Sequence, residues 1–340
     1  MARRTVTDQR SFQKPLLTAD LTGKVIIITG ANTGLGLESA KHFAKMNPLK
    51  IILTSRDEKK GNAALSKLIE ETNFQRAEVW ALDLNSFESV KQFADKTAQL
   101  ERLDFLVANA GIGDSENYTV TEDGWQSAIQ VNNLSQELLA LLLLPKMLET
   151  ANRFGVFVRL VVVSSGGHVR VKEYEPELLN ATNIHETLSS KEYFDLPGKK
   201  STYYTMTKLL NVLFARALSN RSSSSFIAVS LNPGFCFSEL RRNMSPGQLE
   251  QTAIMDEEYG LTGEEGGSNI VYGVTAGHGN PKEEEKLRGQ YIAWANVEEP
   301  SDFVMSEKGH AMENRVWDET VQILTKIDAR VGEIIKEYLH

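Results

Sequence analysis

The chain has a single cysteine, Cys236, in 340 residues. No intramolecular disulfide can form, so the core must hold the fold unaided, and a reducing cytoplasm is the expected home. A long apolar run is also missing. The most hydrophobic stretch, Leu138 to Pro145, is far shorter than the roughly 20 residues that cross a bilayer. The N-terminus, MARRTVTDQRSFQKPLL, is basic but no apolar segment follows it, which argues against a secretory signal. Positive charge is not in excess: a net charge of −8 disfavours a broad nucleic-acid surface. Six histidines without ligand spacing, with one cysteine, make no zinc pattern, and no metal is expected. Neither an internal repeat nor a low-complexity linker interrupts the chain, so one domain is expected over 1–340.

What is present is an alternation of short apolar runs and helical patterns. Lys24-Val25-Ile26-Ile27-Ile28-Thr29 is a short β-branched run, as a strand buried on both faces would be. Ile51 to Thr54, Glu78 to Leu84, Leu103 to Val107, Arg159 to Ser165, Phe226 to Leu231 and Gly289 to Ala293 read as further strands, with helical spacing between them. This order predicts an α/β fold around a doubly wound parallel sheet of about seven strands, with ligands over the strand C-termini. Residues 1–20 read as an N-terminal arm and 166–202 as a long insertion that shapes the pocket. Residues 235–262 read as a substrate lid, 121–149 as a long helical region, and 306–339 as one amphipathic terminal helix.

Three stretches carry chemistry. Gly30-Ala31-Asn32-Thr33-Gly34-Leu35-Gly36 joins the first strand to the first helix. Glycines there let a pyrophosphate approach the backbone, and the helix start offers free N–H groups and a positive dipole. About 20 residues on, where an acid would hold a ribose 2′-OH, the chain has Ser55-Arg56. A guanidinium suits a 2′-phosphate instead, which favours NADPH/NADP over NADH. Finally, Tyr204 and Lys208 stand four residues apart on a helix, so phenol and ammonium share a face. A cation there is expected to lower the tyrosine pKa and make it a usable acid or base.

Taken in order, Thr29-Gly30-x-x-x-Gly34-x-Gly36, Asp83-Leu84, Asn109-Ala110-Gly111, Ser165, Tyr204-x-x-x-Lys208 and Pro233-Gly234 resemble the short-chain dehydrogenase/reductase superfamily, over roughly residues 22 to 295. Leu53 to Arg56, Val131 to Leu134 and Arg159 to Ser165 resemble its retinol-dehydrogenase and protochlorophyllide-reductase-like branch. Glu299 to Val304 resembles fungal members that tailor polyketides and other secondary metabolites. The resemblance implies a Rossmann-type fold and a role for each matched residue. Tyr204 would be the general acid/base and Ser165 the hydrogen-bonding partner of the substrate oxygen. Lys208 would hold the nicotinamide ribose, and Asn132 would support a water that links Lys208 to solvent. Gly30, Asn32, Thr33, Gly34, Leu35 and Gly36 would line the pyrophosphate, Asp83 and Leu84 the adenine, and Asn109, Ala110 and Gly111 the adenosine side. Pro233 and Gly234 would border the nicotinamide, with Ser238 near its amide or the phosphates.

The resemblance also implies a small carbonyl or alcohol substrate and a homodimer through the helices at about 121–149 and 203–219. The Leu138–Leu144 run fits such an interface or a core equally. Where the related branch reads Asn-His-Leu-Gly-His, this chain has Asn132-Asn133-Leu134-Ser135-Gln136, which puts the local helix packing in question. His168 either faces substrate or sits in a solvated loop. Arg241-Arg242 either binds an acidic substrate group or forms a surface pair, and Phe235, Phe237 and Met244 either wall the pocket or pack the lid. Two rival functions stay open: a non-redox enzyme on the same fold (dehydratase, isomerase or cyclase), and a nucleotide-sensing protein without turnover.

Overall fold

The computed structural model describes residues 6–12, 14–172, 176–241, 244 and 246–340. The strands are β1 (Val25–Ile28), β2 (Lys50–Ser55), β3 (Ala77–Ala81), β4 (Phe105–Ala108), β5 (Val158–Val163), β6 (Phe226–Asn232), β7 (Tyr291–Ala293) and β8 (Asn296–Glu298). They form one sheet in the order β3-β2-β1-β4-β5-β6-β7-β8. All neighbours pair in parallel except the last, where β8 runs antiparallel to β7. The Rossmann-type architecture is as expected, but with eight strands instead of about seven. The extra strand escapes notice because its turn, Trp294-Ala295, lacks glycine and asparagine. Both residues nevertheless adopt positive φ, 52° and 49°, as a two-residue hairpin turn requires.

The longer helices are α1 (Gly34–Ala44), α2 (Glu58–Thr72), α3 (Phe87–Ala98), α4 (Ser135–Phe154), α5 (Tyr203–Arg221), α6 (Pro246–Tyr259), α7 (Gly263–Thr275), α8 (Glu307–Ile327) and α9 (Arg330–Tyr338). Their starts are chemically marked. Asp57 and Ser86 accept the amides of Lys60 and Ser89, and Thr262 forms a reciprocal capping box with Glu265. Helices α1, α2 and α7 cover one sheet face, burying Phe43, Leu68 and Ile270 against Ile26, Ile28 and Leu53. Helices α3, α4 and α5 cover the other, burying Phe93, Leu138 and Leu209 against Ile27 and Leu106. With both faces covered, β1 and β5 are buried along their whole length.

Two helical readings need correction. The helical region read at 121–149 begins later than expected. It starts at Ser127, passes through a π-helical turn over Gln130–Leu134, and continues as α4 to Phe154. The terminal helix is two helices, broken at Asp328, whose backbone is extended and whose carboxylate accepts the Arg330 amide at 3.0 Å. The break lets α9 turn onto α4.

The C-terminal pair lies on the surfaces through which a homodimer was expected. Trp317 of α8 stacks on Phe214 of α5 with ring centroids 6.0 Å apart. Arg221 lies over the same indole, and Arg216 pairs with Glu313 at 2.9 Å. The Leu138–Leu144 run is core, and no large hydrophobic residue of α4 or α5 is exposed.

Glu137 of α4 is enclosed by this cover. One carboxylate oxygen meets only the Thr320 hydroxyl, at 3.5 Å, and the other has no hydrogen-bond partner among the described residues. Burial pushes the carboxyl up to about 8. The folded state thus binds this proton more tightly than the unfolded chain does, so its contribution to stability is full at low pH and is lost as pH rises through about 8. Glu137→Gln should flatten that loss. Between pH 6 and 9 the wild-type Tm should fall further than the variant's by several degrees, at about 2 °C per kcal/mol for a chain of this size. Thermal melts of both chains measure the difference, and opposing titrations such as that of Lys208 cancel in it.

Candidate active site

Strand order reverses between β1 and β4, and at such a switch point the strand ends part to leave a crevice. Here the crevice is a cleft of about 660 Å³. Thr29, just past β1, holds its floor: its hydroxyl oxygen accepts the amides of Asn109 and Ala110, both at 2.9 Å. Asn109 donates back to the Thr29 carbonyl at 2.8 Å. A Cβ on Gly30 would stand 2.9 Å from Ala110, and one on Gly36 would stand 2.6 Å from the Asn109 amide. Glycine is needed at both places because two strand ends and a helix meet there. The Gly30 amide donates to Thr54 Oγ1 at 3.2 Å, which ties the turn to β2.

Gly30, Asn32, Thr33, Gly34 and Leu35 line the cleft at the start of α1. The Thr33 side chain makes no cap hydrogen bond, so the first helical amides are left for a bound anion. Gly36 lies beneath the cleft instead of lining it. Ser55, Arg56, Asp83 and Leu84 line one end, and Asn109, Ala110 and Gly111 the middle. The Ser55 hydroxyl is used locally, donating to the Asp57 carbonyl at 2.7 Å, while Arg56 is exposed at the rim. One turn later Lys60 also reaches this rim, a residue that sequence reading passed over although its four-residue spacing from Arg56 was visible.

Ser165, Tyr204 and Lys208 meet at the opposite end with Pro233, Gly234 and Ser238. Neighbouring residues of the same type point elsewhere. Ser164 donates to the Lys208 carbonyl at 2.7 Å, and Tyr203 donates to the Leu188 carbonyl in the protein interior. Lys208 Nζ lies 5.6 Å from the Tyr204 ring centroid and donates to the Val163 carbonyl at 2.8 Å. Burial lowers the Lys208 ammonium to about 7. Burial also pushes the Tyr204 phenol above its usual value, while its hydrogen bond with Ser165 pulls the other way. The expected depression of the Tyr204 pKa by Lys208 is not what this arrangement produces. Desolvation outweighs a cation that is itself poorly charged and committed to a carbonyl.

Asn132 does not line the cleft. It accepts the Ile112 amide at 2.8 Å and donates to the Ile112 carbonyl at 2.9 Å and to Thr207 at 3.1 Å. It sits in the π-helical turn, a feature common at functional sites. The residues that depart from the related branch all make buried hydrogen bonds. Asn133 donates to the Thr207 carbonyl, Ser135 to the Leu84 carbonyl, and Gln136 to the Ala110 carbonyl, at 2.9, 2.7 and 2.8 Å.

The insertion and lid differ from expectation. No described residue of 166–202 lines the cleft. The insertion backs α5, with Phe194 edge-on to Tyr203 at 5.6 Å. His168 is neither solvated nor in the cleft: it is buried, against Tyr291 and the Ser165 carbonyl. In the lid, Phe235 and Met244 line the cleft, whereas Phe237 is exposed. Arg241 pairs with Asp256 and donates to the Cys236 carbonyl at 2.8 Å; Arg242 lies outside the described residues.

The arm supplies a part with no sequence signature. Gln9 is 1% exposed and its amide bridges both ends of the lid. It donates to the Phe235 carbonyl at 3.0 Å and to the Tyr259 carbonyl, and accepts the Phe235 amide at 2.9 Å. The neighbouring Arg10 donates to the Gly260 carbonyl at 3.0 Å.

The short chain dehydrogenase family model matches residues 24–175. Over 324 residues the chain is 32% identical to short chain dehydrogenase/reductase dmxR8 of Cryptosporiopsis sp. (strain 8999), covering 93% of this chain and 94% of that one. It is 37% identical over 275 residues to short chain dehydrogenase atnD of Emericella nidulans, covering 79% and 83%. Among solved structures, L-sorbose reductase from Gluconobacter frateurii, complexed with NADPH and L-sorbose, has the same fold. Its TM-score is 0.57 at 21% identity, over 81% of this chain and 97% of that one. The chain belongs to the short-chain dehydrogenase/reductase family and is an oxidoreductase. No described helix is long and apolar enough to cross a membrane.

Removing the Gln9 amide should loosen the lid without unfolding the sheet. Unpairing buried backbone groups costs about 1–3 kcal/mol. Gln9→Ala should therefore speed chymotrypsin cleavage within 235–260 by roughly 5- to 100-fold. An unchanged cleavage rate would show that the lid holds without the arm.

Proposed function

We propose that this oxidoreductase is an NADPH-dependent reductase of a carbonyl group in a small lipophilic or aromatic molecule, working in fungal secondary metabolism of the polyketide type. One observation carries the reading: Ser165, Tyr204 and Lys208 converge at one end of a cleft whose other end is rimmed by Arg56 and Lys60. The relatives support the setting, since they are fungal short-chain dehydrogenases. The apolar lid residues Phe235, Leu240 and Met244 support the substrate class.

The site fits a dinucleotide. Gly30 and Gly36 cannot carry side chains, and the start of α1 presents uncapped amides where a pyrophosphate would lie. Arg56 and Lys60 would take a 2′-phosphate, Asp83 and Leu84 an adenine, and Lys208 a ribose. A nicotinamide held there supplies the hydride. Tyr204 gives its phenolic proton to the carbonyl oxygen, so that the C=O becomes CH–OH. Ser165 donates to the same oxygen as negative charge develops on it. Lys208 supports recharging of the tyrosine, and Asn132 holds the Ile112 loop against the catalytic helix. The raised phenol keeps its proton at neutral pH, which suits the reductive direction.

Tyr204→Phe should lower NADPH oxidation with aryl ketones or quinones by at least about 100-fold, the scale of lost acid catalysis. NADPH affinity, read by fluorescence titration, should change less than about twofold. Turnover that survives in this variant sinks the mechanism. Arg56→Asp should weaken NADPH relative to NADH by about 10-fold or more, since a charge-assisted pair is worth 1.5–3 kcal/mol. An unchanged ratio of the two kcat/KM values would remove Arg56 from the phosphate site.

A further inference from the structure

Helix α5 begins without a cap of its own. The Thr202 side chain accepts no amide from the first turn; its hydroxyl turns back to donate to the Lys199 carbonyl at 3.3 Å. The amide that needs an acceptor belongs to Tyr204 itself, and it donates to Asp114 Oδ1 at 2.9 Å. Asp114 lies far away in sequence, on the loop that follows β4. Asn132 grips the same loop two residues earlier, at Ile112, and reaches Thr207 on α5. The loop and the catalytic helix are therefore joined at two points, one at Tyr204 itself and one about a turn later at Thr207.

We propose that Asp114 is a positioning residue: its carboxylate caps the catalytic helix at Tyr204's own amide and so sets where the phenol stands. A carboxylate suits this place because the start of a helix is electropositive. The proposal rests on the reading of Tyr204 as the proton donor.

The same carboxylate acts on the phenol through space. The groups facing Tyr204 are the Ser165 hydroxyl, Lys208, Asp114 and the Cys236 thiol. After burial and the Ser165 hydrogen bond, the negative charge of Asp114 is the next influence, and it disfavours the phenolate. Asp114 in turn faces Arg170, Glu116 and the Tyr204 amide. Burial raises its carboxyl while the amide and Arg170 hold it down. Position and charge can be separated by substitution. Asp114→Asn keeps an oxygen to accept the amide but removes the charge, and Asp114→Ala removes both.

The test uses the full chain labelled with [15N]tyrosine, the Tyr204 signal being the one lost in Tyr204→Phe. Amide exchange at Tyr204 should speed up about 5- to 30-fold in Asp114→Ala, as the loss of a cap worth ~1–2 kcal/mol implies. It should stay within threefold of wild type in Asp114→Asn. With NADPH and 9,10-phenanthrenequinone, kcat should drop about 10-fold or more in Asp114→Ala, as a misplaced catalytic group does. The KM for NADPH should hold. Asp114→Asn should recover most of that kcat, and the alkaline limb of its pH profile should move to lower pH, because the phenol loses a neighbouring negative charge. Unchanged Tyr204 exchange in Asp114→Ala overturns the proposal, as does a kcat lost equally in both variants. A wild-type chain inert toward every carbonyl would count against the functional reading alone, because exchange still decides the cap.

Discussion

The gap between β1 and β4 is the constraint on which the rest of the structure depends. These two strands pair as far as Ile28 and Val107, and the residues that follow must be held at a fixed width across the switch point. A single side chain does this. Thr29 presents one oxygen to two amides of the opposite strand's loop, and its carbonyl takes the Asn109 side chain. Opening the gap would unpair buried backbone groups. Closing it would drive Gly30 into Ala110, which already stands at the limit for a residue without a side chain. Every group that faces the cleft is referenced to this floor, including Gly111, which lies below Lys208 and Asn132.

From that floor the site is built as a set of ties between the loop after β4 and helices α4 and α5. Asn132 of the π-helical turn and Gln136 of α4 hold the loop, while Asn133 and Ser164 hold α5 by its backbone. Each is a buried polar contact with a backbone partner, so losing one end leaves the other unsatisfied at a cost of about 1–3 kcal/mol. Such ties resist small displacements better than apolar contacts, which slide. This explains how the chain tolerates its departure at positions 133, 135 and 136. Those residues differ from the related branch, but each is a polar side chain that donates to a carbonyl on a neighbouring element.

Much of the site was legible because its motifs are local. The glycine loop, Asn109-Ala110-Gly111 and the Tyr204–Lys208 pair each encode backbone geometry or helical phase within a few residues, and all but Gly36 and Asn132 among the proposed residues line the cleft. What was missed is held by contacts distant in sequence. Gln9 meets Phe235 and Tyr259 across more than 220 residues, with no periodicity to announce it. The division of the terminal helix was hidden because Leu324 and Val331 keep heptad spacing through the break, and only the Asp328 carboxylate marks it. The buried state of His168 depends on Tyr291, contributed by a strand far along the chain.

The electrostatics follow from the same tightness. A tyrosine and a lysine four residues apart on an exposed helix would titrate near their ordinary values, each slightly favouring the other's charge. Enclosed by β5, the lid and the loop after β4, both lose hydration, and burial becomes the dominant influence on each. The neutral forms gain: a protonated phenol and an amine that titrates about 7. The proposed proton delivery to a carbonyl needs the first, and neither requires permanent charge inside the protein, which would be costly to maintain without a partner. The residue pair alone therefore does not set the protonation states that the proposed acid role needs. The enclosure does, and it is assembled from a threonine at the strand gap, an asparagine in a π-helical turn, and a lid tied at its base by the N-terminal arm.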